Sequence, residues 1–389
     1  MTALARSRPP ELKTSYPQLL SIAPGTWQKA GIAFGMLLVV AGPWIVPADW
    51  VTTLVFSGVA VLGATGLNLL SGYTGQVSLG HSAFLGFGAY TAAYLVSDVW
   101  VIRETGAGGI EEVVGVAPWA FPAAIVAGGL VAMAVGALIG PIAFRLKGLY
   151  LSIVTLGLVF VAEYIFRNWD SVTGGATGRA FTQPTFFGFE MAPPRGEDTI
   201  LGVSVDRNTR YYYLIWIIAI AGCFFAKNIA RSRTGRAFQA VRDREIAASI
   251  SGIGVRSTKL KAFMISSFMA GVAGALFGAF SRYISPEASF TLLVSIQYIA
   301  MIIIGGIGTI WGSIAGAVFI TALPRLVEEV IGSVGTGEVS VLGHLYTDTQ
   351  VSTIIYGIVL VLFLLFEPLG LYGIWIRIKA YFLTWPFKY

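Results

Sequence analysis

The stretch that decides the fold is Leu260–Phe280, which reads LKAFMISSFMAGVAGALFGAF. After Lys261 it contains no charged residue, and its only polar side chains are serines. The hydrocarbon core of a bilayer is about 30 Å thick and takes roughly 20 apolar residues of helix to cross. The stretch therefore predicts a membrane-spanning helix, and further apolar runs of the same kind occur along the chain.

The composition of the whole chain agrees with this interpretation. Of its 389 residues, 56% are hydrophobic and 12% are charged, and its mean hydropathy is +0.75. A soluble domain carries about 25% charged residues. Disorder requires low hydrophobicity, a disulfide scaffold requires more than the single cysteine Cys223, and barrel strands alternate apolar with polar residues. We therefore predict an integral membrane protein of the all-α class.

The apolar runs predict a polytopic fold with about ten transmembrane helices. Short glycine-rich links at 71–77 and 305–312 leave some boundaries open. The ten predicted spans are Ala30–Val46, Val51–Leu70, Ser78–Ser97, Trp119–Phe144, Gly148–Phe166, Tyr211–Ala226, Leu260–Phe280, Phe290–Ile304, Gly312–Val327 and Val351–Phe366.

The distribution of charge between the loops predicts the orientation. With the N-terminus in the cytoplasm, the inner side receives 18 of the 26 Lys and Arg residues but only four of the 20 Asp and Glu residues. Cytoplasmic loops of membrane proteins carry an excess of Lys and Arg. Both termini are therefore predicted to be cytoplasmic, and the pI near 9.3 reflects orientation in a membrane instead of nucleic-acid binding.

These spans divide the chain into three parts. Residues 1–29 form a cytoplasmic N-terminal segment, and residues 30–366 form the transmembrane domain. That domain includes a long outer loop at 167–210 and a basic inner loop at 227–259. The tail 367–389 mixes aromatic residues with cations, which is typical of a helix lying in the inner interface of the membrane.

The spans contain almost no ionisable residues. Proton pumps and ion-coupled transporters place such groups at membrane depth. Glu163, near the outer end of its span, is expected to pair with Arg167 at i+4. His81 is the only histidine near a span and is either a structural residue or a ligand. The sequence shows no pattern typical of a metal cluster, a nucleophilic triad or a phosphate-binding loop. The chain is therefore predicted not to be an enzyme and to bind no cofactor.

Small residues recur at helical spacing in two spans. One set consists of Gly271, Gly274 and Gly278, and the other of Gly312 and Gly316. Glycines four residues apart let helix backbones approach closely in lipid. The two sets predict tight packing, either within this chain or against another subunit.

A glycine-rich segment, GYTGQVSLGH at 72–81, separates two apolar spans. It carries the polar residues Gln76, Ser78 and His81. Irregular backbone at membrane depth is tolerated only where protein or a water-filled cavity surrounds it. The segment is either a broken helix beside a transport pathway or an ordinary loop on the inner face.

The basic inner loop contains a second candidate site. Its stretch Glu245–Gly252, EIAASISG, predicts a short helix ended by glycine. The small residues Ala247, Ala248 and Ser251 would form one face that can seat in a groove of a partner. The rim of that face would carry the charged residues Arg242, Arg244 and Glu245.

The pattern Glu-x-Ala-Ala-x-x-x-Gly of this stretch resembles the coupling loop of ABC importer permeases. Three longer passages resemble the LivM-type permease of branched-chain amino acid ABC transporters. They are GYTGQVSLGHSAFLGFGAYTAAYL (72–95), GLYLSIVTLGLVFVAEYIFRNWDSVTGGATG (148–178), and AVRDREIAASISGIGVRSTKLKAFMISSFMAGVAGALFGAF (240–280) with its continuation IIIGGIGTIWGSIAGAVF (302–319).

The resemblance implies a heteromeric importer in the inner membrane of a prokaryote. Its other parts would be a homologous LivH-type permease, two cytoplasmic ATP-binding subunits that hold the ATP, and a periplasmic or lipid-anchored substrate-binding protein. The chain itself would contact membrane lipid and no nucleic acid. Related permeases for urea and amides share the framework, and an ion-coupled transporter or a channel is the alternative from another class.

The resemblance also implies roles for individual residues. The candidates for coupling to the ATPase are Glu245, Ala247, Ala248 and Gly252. The candidates for the translocation pathway or its gates are Gln76, Ser78, His81, Thr173 and Gly174.

Overall fold

The structure is a computed structural model. It describes residues 26–105, 111–145, 148–182, 184–191, 199–200, 203–204, 206–334, 338–341, 344–367 and 370–384. The predicted N-terminal segment lies outside the described residues up to residue 25, as do residues 368–369 and 385–389 of the predicted tail.

The described residues are mostly helical, as the apolar runs predict. The helices, in chain order, are α1 (Thr26–Ile45), α2 (Ala48–Asn68), α3 (His81–Tyr94), α4 (Ala120–Arg145), α5 (Leu149–Asn168), α6 (Asp170–Thr173), α7 (Arg207–Arg231), α8 (Arg233–Asp243), α9 (Glu245–Ile250), α10 (Val255–Ser281), α11 (Pro286–Ser289), α12 (Leu292–Gly305), α13 (Ile310–Val334), α14 (Asp348–Phe366) and α15 (Gly370–Thr384).

Seven described helical segments are long and apolar enough to cross a membrane. Two further apolar helical stretches, Ala30–Ile45 and Ile354–Phe363, are shorter. The predicted span Ser78–Ser97 is wrong at its start, because α3 begins only at His81. Its 14 residues are followed directly by one π-helical turn, Leu95–Val99. The helical segment therefore extends to Val99 and comes close to the roughly 30 Å thickness of the hydrocarbon core.

The all-α prediction is incomplete, because short antiparallel strand pairs join some of the helices. The pairs are β1 (Val101–Thr105) with β2 (Glu111–Val116), β3 (Arg179–Ala180) with β8 (Tyr283–Ile284), β4 (Thr185–Phe186) with β5 (Phe189–Glu190), β6 (Thr199–Ile200) with β7 (Val203–Ser204), and β9 (Glu338–Val341) with β10 (His344–Thr347). Most are hairpins between neighbouring segments. The pair β3–β8 instead ties the predicted outer loop to the end of α10.

Helix α10 lies at the centre of the fold, where it packs mainly against α3 and α4. Its glycines permit that contact. A β-carbon on Gly271 would lie 2.5 Å from Ala132 Cβ, and one on Gly274 would overlap the backbone of Leu85. Real β-carbons do not approach other atoms so closely, so only glycine fits at these two positions. Gly278 packs in the same way, against the side chain of Ile284.

The second set of predicted packing glycines joins α12 to α13. A β-carbon on Gly312 would lie 2.5 Å from the carbonyl oxygen of Gly305, and one on Gly316 would overlap the carbonyl oxygen of Met301. The sequence left open whether these glycines pack within the chain or against another subunit. The structure places both sets in contacts within this chain.

Charged side chains connect the predicted outer end of α5 to α11. The predicted pair is present, with Arg167 Nη2 3.1 Å from Glu163 Oε1. The same guanidinium lies 3.3 Å from Glu287 of α11. Arg167 thus pairs both with a glutamate of its own helix, α5, and with a glutamate of α11.

Candidate functional site

The segment between α2 and α3 is a broken helix. Helix α2 continues as one π-helical turn over Leu69–Tyr73, and the backbone is then irregular until α3 begins. The Thr74 hydroxyl donates to the carbonyl of Leu70 at 2.5 Å, which occupies an acceptor that the helix would otherwise use. Gly75 follows with φ of +71°, a conformation that favours glycine. We call residues 69–80 the break segment.

The break segment is held by its own chain. The Leu79 amide donates to Thr155 Oγ1 at 2.9 Å, and the Ser152 hydroxyl donates to the Val77 carbonyl at 3.2 Å. Ser78 is buried, and its hydroxyl accepts a hydrogen bond from the Gly80 amide. The first two contacts come from the first turns of α5 and hold part of the segment against protein, whereas Gly75 and Val77 are exposed. The interpretation as a broken helix beside a pathway stays a prediction.

Two of the predicted pathway residues bury polar atoms without a hydrogen-bond partner among the described residues. Gln76 is 5% exposed, and both atoms of its amide group are unpaired. His81 is 1% exposed, and its Nε2 is unpaired, while its ring packs 4.7 Å from that of Tyr298. Such atoms are rare in folded proteins and call for an explanation, such as a functional role or a bound water molecule.

The sequence reasoning missed Asn68, the last residue of α2. Its side-chain amide donates to the Thr309 carbonyl, and its Oδ1 accepts from the Gly308 amide, both at 2.9 Å. Asn68 therefore holds the loop between α12 and α13 against the start of the break segment. The feature of the sequence that could have identified Asn68 is a lone amide side chain at the end of an apolar span.

The predicted inner loop 227–259 is helical along most of its length. Helix α7 runs to Arg231, and Ser232 caps α8 by accepting a hydrogen bond from the Gly235 amide at 3.3 Å. Helix α9 follows after one extended residue, Arg244. Its end has the geometry of a Schellman motif, because the Gly252 amide donates to Ser249 and the Ile253 amide donates to Ala248.

The outward face of α9 differs from the prediction. Ala248 is buried against the rest of the chain, so the small residues do not form one accessible face. Ile246 and Ile250 are instead 75% and 83% exposed. They are four residues apart and therefore lie on one side of the helix, with the exposed Ala247 beside them. Gly252, at φ of +82°, lies in open space after the helix.

Glu245 points towards its own chain. Its Oε1 lies 2.5 Å from Nζ of Lys259, a lysine of α10 that is only 4% exposed. The predicted charged rim is therefore wrong for Glu245, which anchors α9 to the central helix. Lys259 was missed, because the sequence shows only another cation in a basic loop.

Arg242 also reaches away from the predicted rim. Its guanidinium donates to the Gly72 carbonyl in the break segment. A β-carbon on Gly308 would lie 2.8 Å from Arg242 Nη1, so the guanidinium is also close to the loop that Asn68 holds. The glycine-rich segment and the basic inner loop, which are the two candidate sites predicted from the sequence, are thus in direct contact.

The remaining pathway candidates lie elsewhere. The Thr173 hydroxyl is 2.7 Å from the Phe166 carbonyl and 2.6 Å from the Trp169 carbonyl, and Gly174 follows at φ of +75°. Both residues form a turn at the predicted outer end of α5. Arg179 connects that turn to Tyr94 at the end of α3, whereas His81 begins the same helix, so the two groups of candidates lie at different parts of α3.

Arg179 fastens this outer turn to α3. Its Nη1 donates to the Val172 carbonyl at 2.5 Å, and its guanidinium lies over the ring of Tyr94 and pairs with Asp98. Burial lowers the pKa of Arg179 from its ordinary value. This turn is therefore packed against α3, although Arg179 Nε is buried without a hydrogen-bond partner among the described residues.

Comparison with known proteins gives a family match over most of the chain. The family model for the branched-chain amino acid transport system permease component matches residues 50–364. That range includes the break segment, the helices α8 and α9 of the predicted inner loop, and the central helix α10. No solved structure matches the chain.

The chain is also similar to three permeases. It is 33% identical to the high-affinity branched-chain amino acid transport system permease protein LivM of Escherichia coli, over 78% of this chain and 69% of LivM. It is 25% identical to LivH of the same organism, over 82% and 94% of the two chains. The permease protein BraD of Pseudomonas aeruginosa is 26% identical over 80% of this chain and 90% of BraD.

Proposed function

The chain belongs to the family of branched-chain amino acid transport system permease components, and on that premise we propose that it is the transmembrane subunit of an ATP-driven importer of branched-chain amino acids. The observation that carries the proposal is the contact between the cytoplasmic helices and the membrane domain. An exposed apolar pair on α9 is joined to α10 through Glu245 and Lys259, and Arg242 of α8 is joined to the break segment.

We place the chain in the inner membrane of a prokaryote, with ten crossings and both termini in the cytoplasm. The charge asymmetry of the loops supports this orientation. Helix α3 and the π-helical turn that follows it, Leu95–Val99, count together as one crossing. The tail helix α15 exposes Trp375, Ile376 and Tyr381 beside Arg377 and Lys379, and we assign it to the inner lipid interface.

Coupling to ATP hydrolysis is assigned to α9. Ile246 and Ile250 would insert into an apolar groove on one of two cytoplasmic ATP-binding subunits, which hold the ATP. Ala247 would allow close approach beside them, while Ala248 and Gly252 would fix the position and the end of the helix. Glu245 would pass the movement of α9 on to α10 through Lys259.

The transport pathway is assigned to the neighbourhood of the break segment. The unpaired polar atoms of Gln76 and His81 support this assignment, since a second conformation could satisfy them. Ser78 would shape the backbone between them. Thr173 and Gly174 would act at the outer mouth by stabilising the turn, because the Thr173 hydroxyl already donates hydrogen bonds to the carbonyls of Phe166 and Trp169.

The importer needs partners. Similarity to both LivM and LivH supports pairing with a homologous LivH-type permease. A periplasmic or lipid-anchored binding protein would deliver the substrate to the outer face. In this arrangement the chain itself binds no cofactor and no nucleic acid.

Reconstitution into liposomes tests the function. The chain should import radiolabelled leucine only when its second permease, its ATP-binding subunits, its binding protein and ATP are all present. Leucine transport by this chain alone without ATP would instead establish a channel or a secondary transporter. ATP-driven uptake of urea or a short amide, with none of leucine, would show that the substrate assignment is wrong.

A further inference from the structure

Three separate parts of the chain meet at the side chain of Arg242. Its guanidinium, from the cytoplasmic helix α8, donates to the Gly72 carbonyl of the break segment. Nη1 of the same group lies beside Gly308, whose amide donates to Asn68. The cytoplasmic helices, the break segment and the loop 306–309 therefore share one contact point.

The backbone around this point is shaped to admit an arginine. A β-carbon on Gly75 would lie 3.3 Å from Arg242 Cγ, and one on Gly308 would lie 2.8 Å from its Nη1. Both glycines have positive φ angles, +71° and +81°. The break in the helix also leaves carbonyl groups without their usual amide partners, and Arg242 satisfies the one at Gly72.

The break segment is a candidate for an element with two arrangements. The buried amide of Gln76 has no partner among the described residues, and an unsatisfied buried group raises the free energy of the state that contains it. A rearrangement that pairs this amide would lower that cost. Coupling between distant sites needs such an element, whose equilibrium both sites can influence.

We propose that Arg242 is the positioning residue through which movement of the cytoplasmic helices sets the conformation of the break segment. The inference rests on the proposed function, because an ATPase must supply the movement. It is separate from the ion pair between Glu245 and Lys259, which joins α9 to α10. The two contacts provide parallel routes from one cytoplasmic segment to two parts of the membrane domain.

A cysteine in the break segment can report on this route. Val77 is 45% exposed and Cys223 is the only native cysteine, so the variant C223A/V77C carries a single accessible thiol. The rate of its labelling by a water-soluble maleimide is measured in the complete reconstituted importer, without nucleotide and with ATP plus vanadate. Leucine uptake and ATP hydrolysis are measured on the same liposomes. The test variant is R242Q, and R233Q is its matched control at the exposed arginine that begins the same helix.

With Arg242 present, the labelling rate should differ between the two nucleotide states by about tenfold, a typical size for coupling between sites. R242Q should remove this difference and reduce leucine uptake while ATP hydrolysis persists, and R233Q should keep both the difference and the uptake. A purely structural role for Arg242 would instead lower assembly, hydrolysis and uptake together.

Two further results would overturn the inference. One is an unchanged nucleotide dependence of labelling in R242Q, and the other is equal loss of that dependence in R242Q and R233Q. The proposed function fails differently, through absence of ATP-driven leucine uptake by the importer that retains Arg242, and that result would remove the basis of the inference as well.

Discussion

At the scale of single residues, the structure gives the residues of the Glu-x-Ala-Ala pattern different contacts from those predicted. The glutamate does not face a partner but contacts Lys259, and the second alanine is buried. The exposed face of α9 carries Ile246 and Ile250, which the pattern does not specify. A helix that anchors to its own chain through one face leaves only the opposite face for the proposed contact with a partner.

The pair Glu245–Lys259 predicts an asymmetry between two variants. E245Q leaves a 4% exposed ammonium without its carboxylate partner, which costs about 3 kcal/mol for a buried charge. K259M should cost less, because the Glu245 side chain is 28% exposed and can be hydrated. Thermal unfolding of the purified protein in detergent should therefore give a lower midpoint for E245Q than for K259M. A lower midpoint for K259M would contradict the interpretation.

At the scale of elements, α9 is a short helix whose position is fixed from both ends. Extended Arg244 precedes it, and a glycine in the left-handed conformation ends it. Its six residues are too few to be stable alone in water. The contacts of Ala248 and Glu245 with the rest of the chain therefore hold the helix, and the two isoleucines are presented on a rigid element.

The exposed pair should be needed for binding the ATPase. The variant I246D/I250D places two carboxylates in the proposed apolar contact and should reduce co-purification of the ATP-binding subunits by about tenfold or more. S257D is the matched control, since it adds a carboxylate to the exposed first turn of α10, where the helix dipole favours it. Full retention of the ATP-binding subunits by I246D/I250D would show that α9 is not the docking element.

Close packing of α10 on α3 gives a second prediction at this scale. G274A puts a methyl group into the backbone of Leu85 and should destabilise the protein by about 1–3 kcal/mol. Gly157 is also inside a helix but has open space around its α-carbon. G157A should therefore be neutral or stabilising by about 1 kcal/mol. Thermal unfolding of both variants checks this, and equal effects would contradict the packing.

At the scale of the whole molecule, the sequence predicted the helical membrane fold, most of the long helices and the short helix that begins at Glu245, while the roles of the two candidate sites stay predictions. Those properties follow from local patterns such as apolar runs, loop charges and glycine spacing. The contacts of Asn68 with residues 308 and 309 join positions about 240 residues apart, and no local pattern encodes them. The start of α3 was misplaced because a polar break inside an apolar run does not disturb its average hydrophobicity.

The central claim is that α9 transmits ATP hydrolysis into transport, and the variant G252R tests it most directly. Gly252 has a left-handed backbone with open space around it, so arginine strains the end of α9 by about 1–2 kcal/mol without a clash. Gly188 shares both properties in the predicted outer loop, which makes G188R the matched control.

The decisive measurement is the number of leucine molecules imported per ATP hydrolysed by the complete reconstituted importer. We predict that G252R inserts and assembles normally and hydrolyses ATP, but that its ratio falls about tenfold, while G188R keeps the ratio of the unmodified protein. An unchanged ratio in G252R would contradict the account.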